Sequence, residues 1–171
     1  MQPLTSKQPG GAIYSVVAGE LTPNELRAWR AFLDAQATVM RQLEADLVAH
    51  DGLTLAEFDV LAQLGFAPES RLRMAELADR VRLSPSGITR LVDRLSRAGL
   101  LKRTRCASDR RGTWATLTAA GRQRLERARP MHLRGVHKHF ARRLSAPQLR
   151  SLAKTVEGLA SGEGSKVSST V

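Results

Sequence analysis

Two short helix patterns separated by only two residues constrain this chain more than any other feature of its sequence. The first covers residues 74–81, and the turn Arg82-Leu83 follows it. Ser84 is then a helix cap with Pro85 at the first helical position, and Gly99 ends the second helix. Its buried face carries apolar residues at helical spacing: Ile88, Leu91, Val92 and Leu95. The pattern predicts a helix-turn-helix over residues 74–98.

The segment after this helix-turn-helix has the composition of a β-hairpin. Residues 100–106 and 113–118 are rich in Leu, Thr, Trp and basic side chains, and a polar loop of turn-forming residues joins them. A helix-turn-helix followed at once by a two-stranded hairpin is a winged helix-turn-helix. We place this unit at about residues 54–118, with the wing at 100–118.

Long helices flank the winged unit. A capping box at Thr22-Pro23-Asn24-Glu25 opens an amphipathic helix over about 22–49. A second box, Thr54 to Glu57, opens a short helix that ends at Gly65. The sequence therefore predicts a mainly α fold with a two-stranded β-wing and long terminal helices.

The C-terminal helices follow the wing. Thr118 caps a helix that runs to about residue 143, kinked or interrupted at Pro130, and a third capping box at Ser145-Ala146-Pro147-Gln148 opens the last helix. Residues 119–160 and the helix at 22–49 are the predicted dimerisation helices. The folded domain spans 21–160, between a flexible arm at 1–20 and a disordered tail at 161–171.

The charge of the chain is concentrated in its middle. The 171 residues carry a formal net charge of +11. Residues 71–113 hold twelve basic and four acidic residues, and residues 114–143 hold eight basic and one acidic. A basic block inside a folded region favours a polyanionic partner, most often nucleic acid.

The helix-turn-helix and wing together resemble the MarR family of bacterial transcriptional regulators. The resemblance is carried by Ala75-Glu76-Leu77-Ala78, by the run from Leu83 to Leu95, and by Asp109-Arg110-Arg111 leading into Leu117-Thr118-Ala119-Ala120-Gly121. It covers residues 22–160 in element order. It implies a cytoplasmic homodimer that binds double-stranded DNA and acts as a repressor responsive to a small molecule.

The second helix of the helix-turn-helix carries the residues expected to contact DNA. In such motifs the N-terminal residues of this helix meet base edges in the major groove, and an Arg fork reads guanine. The DNA-binding residues predicted on this helix are Ser84, Ser86, Thr89, Arg90, Arg94 and Arg97. We expect Arg94 and Arg97 to meet phosphate. The alternative is a solvated face on which Asp93 pairs with one of the helix arginines.

The wing supplies a second set of candidates. A narrow minor groove has enhanced negative potential and accepts an inserted Arg. The resemblance implies that Asp109 orients Arg111 for that insertion, and we expect Arg110 to track the DNA backbone. Arg103 and Arg105 on the first strand add positive field. The alternative is an ordinary exposed turn with an ion pair of little energetic value.

Assembly and ligand binding are further expectations. The apolar stripes of the terminal helices exceed what a small core can cover, so we expect a homodimer on an inverted repeat. The family commonly binds small aromatic or phenolic effectors, for which Trp29 and Phe58 are candidate lining residues. Core packing is the alternative for both aromatic residues.

Other functions find little support in the sequence. No apolar run approaches the roughly 20 residues of a membrane span, and the single Cys106 fits a reducing cytoplasm. His132, His137 and His139 have no interleaved carboxylate, so we expect an exposed or phosphate-facing surface and no metal site. We expect no enzyme activity and no cofactor. The remaining alternative function is a winged-helix module that binds protein without a specific DNA target.

Overall fold

The computed structural model describes residues 21–105 and 112–161. The described elements, in chain order, are the helices and strands α1 (Pro23–Asp51), α2 (Leu55–Phe66), β1 (Arg71–Arg73), α3 (Met74–Arg80), α4 (Pro85–Arg97), β2 (Leu101–Arg105), β3 (Thr113–Leu117), α5 (Ala119–His139) and α6 (Ala146–Ser161). Single 3-10 turns lie at Pro68–Ser70 and Ala141–Arg143. The mainly helical fold with a winged helix-turn-helix is confirmed.

The sheet has one strand more than the sequence predicts. Its order is β1-β3-β2, with both neighbouring pairs antiparallel. The third strand, β1, has only three residues, of which Leu72 is buried between two exposed arginines. Leu72 lies opposite Ala115 of β3, so a non-local pairing forms a strand that is too short to show a period of its own.

The capping signals correctly place the helix starts, whereas the ends of α1 and α2 differ from the prediction. Both sets of hydrogen bonds of the capping boxes at Thr22 and Thr54 are present. α1 continues to Asp51 before Gly52, which has φ +60°, and α2 ends at Phe66. At the third box, the Ser145 N–H donates to Oε1 of Gln148, as expected.

Helix α5 corrects the prediction around its proline. Of the predicted kink or interruption at Pro130, the interruption is wrong, because α5 continues through this residue, and the helix ends at His139 rather than at residue 143. Pro130 lies on the exposed face, where water can satisfy the carbonyl that loses its helical partner. The proposed arm at 1–20 and all of the proposed tail beyond Ser161 lie outside the described residues; Ser161 itself is the last residue of α6.

By its internal contacts the chain divides into two units, residues 1–38 and residues 39–171. The described part of the first unit is the beginning of α1, on which the rings of Trp29 and Phe32 stack with their centroids 6.2 Å apart. The second unit contains the winged helix-turn-helix. Its core is formed by apolar residues that include Leu61, Leu64, Leu77, Ile88, Val92, Leu95 and Ala115.

A junction between α4 and α5 fixes the end of α4, the second helix of the helix-turn-helix, which we call the recognition helix. Gly99, with φ +73°, donates to the Ser96 carbonyl, and the next residue donates back to Leu95, which is a Schellman motif. The Thr118 hydroxyl donates to the Gly99 carbonyl at 2.8 Å and accepts from the Gly121 N–H at 3.0 Å. One side chain thus links the C-terminus of α4 to the N-terminus of α5.

This junction leaves no space for a side chain at Gly121. A Cβ built there would lie 2.1 Å from the Leu100 carbonyl oxygen. Gly→Ala inside a helix ordinarily stabilises by up to about 1 kcal/mol. We expect Gly121→Ala instead to lower the free energy of unfolding by roughly 1–3 kcal/mol, because backbone atoms have to move. Urea denaturation measures the effect, and a variant as stable as the parent would contradict the close contact.

Ala120→Gly is the matched control, because Ala120 is the exposed neighbour of Gly121 on the same helical turn. The change should cost about 1 kcal/mol or less from helix propensity alone.

Candidate nucleic-acid interface

Helix α4 presents its apolar face to the core and its polar face outward, as the sequence predicts. Ile88, Leu91, Val92 and Leu95 are all buried. The Ser84 hydroxyl accepts a hydrogen bond from the Gly87 N–H at 3.1 Å, which fixes the start of the helix. The predicted contact residues Ser84, Ser86, Arg90, Arg94 and Arg97 are exposed and Thr89 is half-buried.

The side chains at the start of α4 are held by the helix itself. The Thr89 hydroxyl donates to the Pro85 carbonyl at 2.8 Å, and Nε of Arg90 donates to the Ser86 carbonyl at 3.3 Å. The second bond uses one of the five N–H donors of the guanidinium group. The fork of Arg90 is therefore positioned over the first turn, where a helix-turn-helix meets base edges.

Arg94 has a partner that the sequence did not reveal. Its Nε lies 2.7 Å from Oε1 of Glu57, whose side chain is only 12% exposed. The same Glu57 side chain accepts from the Thr54 N–H in the capping box of α2. The pair ties the recognition helix to α2, while about half of the Arg94 side chain stays exposed. Its predicted phosphate contact remains a prediction.

Asp93 pairs across the fold. Instead of the intrahelical bridge to Arg90, Arg94 or Arg97 that the sequence allows, the Asp93 carboxylate forms a salt bridge with Arg103 of β2. This pair compensates the charge of Arg103 locally. The positive field expected from Arg103 rests on its residue type alone. The pair connects the recognition helix directly to the wing.

The base of the wing is a regular hairpin. β2 and β3 pair from Leu101 opposite Leu117 to Arg105 opposite Thr113. The residues predicted at the wing tip lie outside the described residues, as does Cys106: Arg111 for the minor groove, Asp109 to orient it, and Arg110 for the DNA backbone. Arg105 is exposed at the last described position before the tip.

A cavity of about 440 Å³, which we call the notch, separates α4 from the wing. Its lining comes from the end of β1, from α3, from the start of α4 and from the wing, and includes Arg73, Asp79, Thr89, Arg103 and Thr113. Arg73 lines the notch but is not among the residues predicted from the sequence. The alternation Arg71-Leu72-Arg73 is its signal, although three residues are too few to establish a strand.

A second cavity, of about 360 Å³, lies between α2 and α5, and we call it the α2–α5 cavity. Its apolar wall includes Phe58 and Phe66, and its polar groups include Asp59, Arg129 and His132. Phe58 is buried and stacks on the His132 ring, with the centroids 4.4 Å apart. The Arg129 guanidinium lies over the Phe66 ring at 5.7 Å.

Burial shifts the titration of two groups in the α2–α5 cavity. Desolvation lowers the pKa of His132 below its ordinary value of 6.5, and the nearby Asp59 carboxylate opposes the shift. Desolvation likewise raises the pKa of Asp59, opposed by His132. The lowered pKa favours the neutral form of His132. Its Nδ1 is buried and has no hydrogen-bond partner among the described residues.

The other candidate ligand residue and the histidines are placed differently from expectation. Trp29 is 45% exposed and belongs to the first unit, whereas Phe58 belongs to the second. The expected exposed surface for the histidines is wrong for His132, which is half-buried, and for His139, which is buried with Nε2 2.7 Å from an oxygen of Asp46. Residue spacing on one helix could not show these contacts with other helices.

Within residues 21–105 and 112–161, His, Cys, Asp and Glu form no group of three or more that could hold a metal ion. None of the helices that the structure describes combines the length and apolar character needed to cross a bilayer.

Comparison with known proteins identifies the family. A sequence model described as the MarR family matches residues 51–112. The HTH-type transcriptional repressor Rv2887 of Mycobacterium tuberculosis is 36% identical over 110 residues, which cover 64% of this chain and 77% of the relative. The HTH-type transcriptional repressor YetL of Bacillus subtilis is 37% identical over 81 residues, 47% of this chain and 48% of that protein.

Solved structures agree with this assignment. Sco3205, a MarR family transcriptional regulator from Streptomyces coelicolor solved in complex with DNA, aligns with a TM-score of 0.78 and 30% identity, covering 88% of this chain and 95% of that one. AbsC, a MarR family regulator from the same organism, aligns with a TM-score of 0.77 and 33% identity, covering 83% and 95%. The chain belongs to the MarR family. Its relatives are transcriptional regulators, in agreement with the expectation that it is not an enzyme.

Proposed function

We propose that this protein is a sequence-specific regulator that binds double-stranded DNA as a homodimer and represses transcription. The observation that carries the proposal is α4: its apolar face is buried, its start is capped by Ser84, and its outer face presents Ser86, Thr89 and Arg90. The Streptomyces relative solved with DNA supports the same use of the fold.

The proposed binding mode combines the exposed face of α4 with what the family resemblance implies for the wing. α4 enters the major groove, where Arg90 reads a guanine through its fork and Ser86 and Thr89 approach neighbouring base edges. Arg97, two turns further along, meets phosphate. For Arg111 and Asp109, which lie outside the described residues, the resemblance implies that Arg111 enters the minor groove and that Asp109 orients it.

A homodimer would cover apolar surface that one chain leaves open. Trp29 and Phe32 on α1 and Leu152, Val156 and Leu159 on α6 are all exposed, and Leu159 is 69% exposed. A two-fold pairing buries such surfaces and sets two recognition helices about one turn of DNA apart, so the operator is an inverted repeat.

Footprinting on the DNA that flanks the gene tests the central proposal. We expect a protected inverted repeat and retention on duplex DNA that falls steeply with rising salt. A protein that protects no sequence, and whose weak DNA binding disappears at moderate salt, would instead be a protein-interaction module.

Arg90 and Arg97 should separate base reading from phosphate binding. We expect Arg90→Ala to cost about 1–3 kcal/mol per half-site and to relax preference mainly at one base pair, because a bidentate base contact is lost. Arg97→Ala should weaken all sequences about equally. Binding to a set of single-base operator variants at fixed salt measures both effects. Uniform weakening by Arg90→Ala would remove its reading role.

Substitution of Leu152, an exposed apolar residue of α6, tests the proposed dimer. We expect Leu152→Asp to convert a dimer into a monomer in sedimentation experiments, because pairing would bury an uncompensated carboxylate. Lys154→Asp is the matched control, because it places the same carboxylate on the opposite side of α6 and should leave the dimer intact. A parent protein that is monomeric at micromolar concentration would contradict the assembly itself.

We also propose that the α2–α5 cavity binds a small aromatic acid that weakens operator binding. Phe58 and Phe66 offer an apolar wall, Arg129 offers a cation, and the neutral His132 ring has an unsatisfied buried nitrogen within the described residues. A ligand need only bind the DNA-free arrangement more tightly to shift the population.

Salicylate is the probe for this cavity. We expect it to raise the operator Kd of the parent protein and of the control Arg134→Gln, and to have a smaller effect on Arg129→Gln, which lacks the cavity cation. Arg134 is exposed on the same helix and does not line the cavity. An equal response of Arg129→Gln and the control would place the ligand elsewhere, and no response to any aromatic acid would exclude this effector class.

A further inference from the structure

The 3-10 turn Pro68–Ser70, which we call the α2–β1 turn, has a backbone conformation that side chains rarely adopt. Two consecutive residues in it, Glu69 and Ser70, have φ angles of +52° and +53°. Residues other than glycine are strained in this region, because the Cβ is crowded by the following carbonyl oxygen. Strain of this kind persists only where the surrounding structure holds the backbone in place.

Helix α5 supplies a contact that holds the α2–β1 turn. The Arg122 guanidinium group donates a hydrogen bond to the Ser70 hydroxyl, 52 residues away in the sequence. Arg122 also lines the α2–α5 cavity, as does Phe66 at the end of α2. One side chain thus contacts the strained turn and borders the space in which we place an aromatic acid.

The α2–β1 turn leads directly into the winged helix-turn-helix. The strand β1 follows it and pairs with β3 of the wing, with Leu72 opposite Ala115. The helix α3 then begins at Met74, immediately after β1. A backbone change in the turn therefore reaches both the wing and the first helix of the helix-turn-helix.

A ligand carboxylate competes with Ser70 for Arg122. The guanidinium fork binds a carboxylate through two parallel N–H bonds, whereas its bond to the Ser70 hydroxyl is a single one. Arg129 of the same helix also lines the cavity and adds a second cation. The lining includes two carboxyl groups, Asp59 and the exposed Glu126, and burial raises the pKa of Asp59, which favours its neutral form. The cavity therefore suits an acid.

We propose that Arg122 is the residue through which the α2–α5 cavity controls DNA binding. Without ligand, Arg122 holds Ser70 and keeps the α2–β1 turn in its strained form, which is the form that binds the operator. When an aromatic acid binds, Arg122 donates to its carboxylate instead, and the turn relaxes towards negative φ. This inference rests on the proposed effector site and adds the residue that links the ligand to operator affinity.

The first test needs no ligand. We expect Ser70→Ala and Arg122→Gln each to raise the operator Kd about two- to fivefold, because the same hydrogen bond is lost. The double variant should bind no more weakly than Arg122→Gln alone, because the two residues act through one contact. The control Arg134→Gln, an exposed arginine of α5 that does not line the cavity, should leave the Kd unchanged.

The salt dependence of the operator Kd excludes a direct role of Arg122 in DNA binding. It should be the same for Arg122→Gln as for the parent protein, because a residue that meets no phosphate releases no counterion. A smaller salt dependence in Arg122→Gln would make this residue a phosphate contact and would overturn the proposal.

Ser70→Gly separates the hydroxyl from the backbone strain. Both Ser70→Gly and Ser70→Ala lack the hydroxyl, but glycine adopts a φ of +53° without crowding. We expect the operator Kd of Ser70→Gly to lie closer to that of the parent protein. Equal weakening by the two substitutions would mean that strain does not drive the change, which contradicts the proposal.

Salicylate binding to the DNA-free protein distinguishes a switch from a structural contact. In calorimetric titrations we expect Ser70→Ala to bind salicylate about two- to fivefold more tightly than the parent protein, because Arg122 no longer has to leave Ser70. Arg122→Gln should bind it about tenfold more weakly, because a charged hydrogen bond is lost. A contact that serves only to stabilise the fold cannot produce opposite signs. Thermal unfolding checks that each variant is folded, and Arg122→Lys, which keeps the charge without the fork, replaces Arg122→Gln if that variant does not fold.

The outcomes separate this inference from the proposed function. A parent protein that binds no operator contradicts the proposed regulator, and one whose operator Kd responds to no aromatic acid contradicts the effector site; either result overturns this inference as well. If the parent protein responds but Ser70→Ala matches it in both operator and salicylate affinity, only the role of the Arg122–Ser70 contact is contradicted.

Discussion

The Thr118 hydroxyl is the contact on which the geometry of the DNA-facing surface depends. It donates to the carbonyl of Gly99 and accepts from the N–H of Gly121, so it joins the end of α4 to the start of α5. The two helices approach so closely here that the Leu100 carbonyl occupies the space of a Cβ at Gly121. The recognition helix and the wing, which begins at Leu101, are therefore placed by one rigid junction rather than by a flexible loop.

Two ion pairs also fix the position of α4, further along the helix. Asp93 holds Arg103 on the wing, and Arg94 holds Glu57 on α2. The Asp93–Arg103 pair is partly exposed, and such pairs usually contribute little to stability, whereas Glu57 of the other pair is only 12% exposed. Both pairs orient α4. On the charged face of α4, Asp93 and Arg94 thus hold the helix in place. Arg90 and Arg97 are the residues proposed to contact DNA.

The parts of the fold that the sequence predicts are those determined by near neighbours. Ser84 and Gly99 delimit α4, and its apolar stripe has the spacing of a helix that is buried on one side. The strand β1, the partner of Arg94 and the burial of His132 all depend on residues far away in the chain. Residue type identified Arg94 and Arg103 as cations, but only the three-dimensional arrangement shows which carboxylates compensate them.

The first turn of α2 has a consequence for how the protein could be switched. Three consecutive residues there face different neighbours: Glu57 holds Arg94 of the recognition helix, while Phe58 and Asp59 line the α2–α5 cavity. A molecule that displaces this turn has either to carry α4 with it or to break the Arg94 pair. The contact with the DNA-facing helix and the lining of the cavity thus belong to adjacent residues of α2.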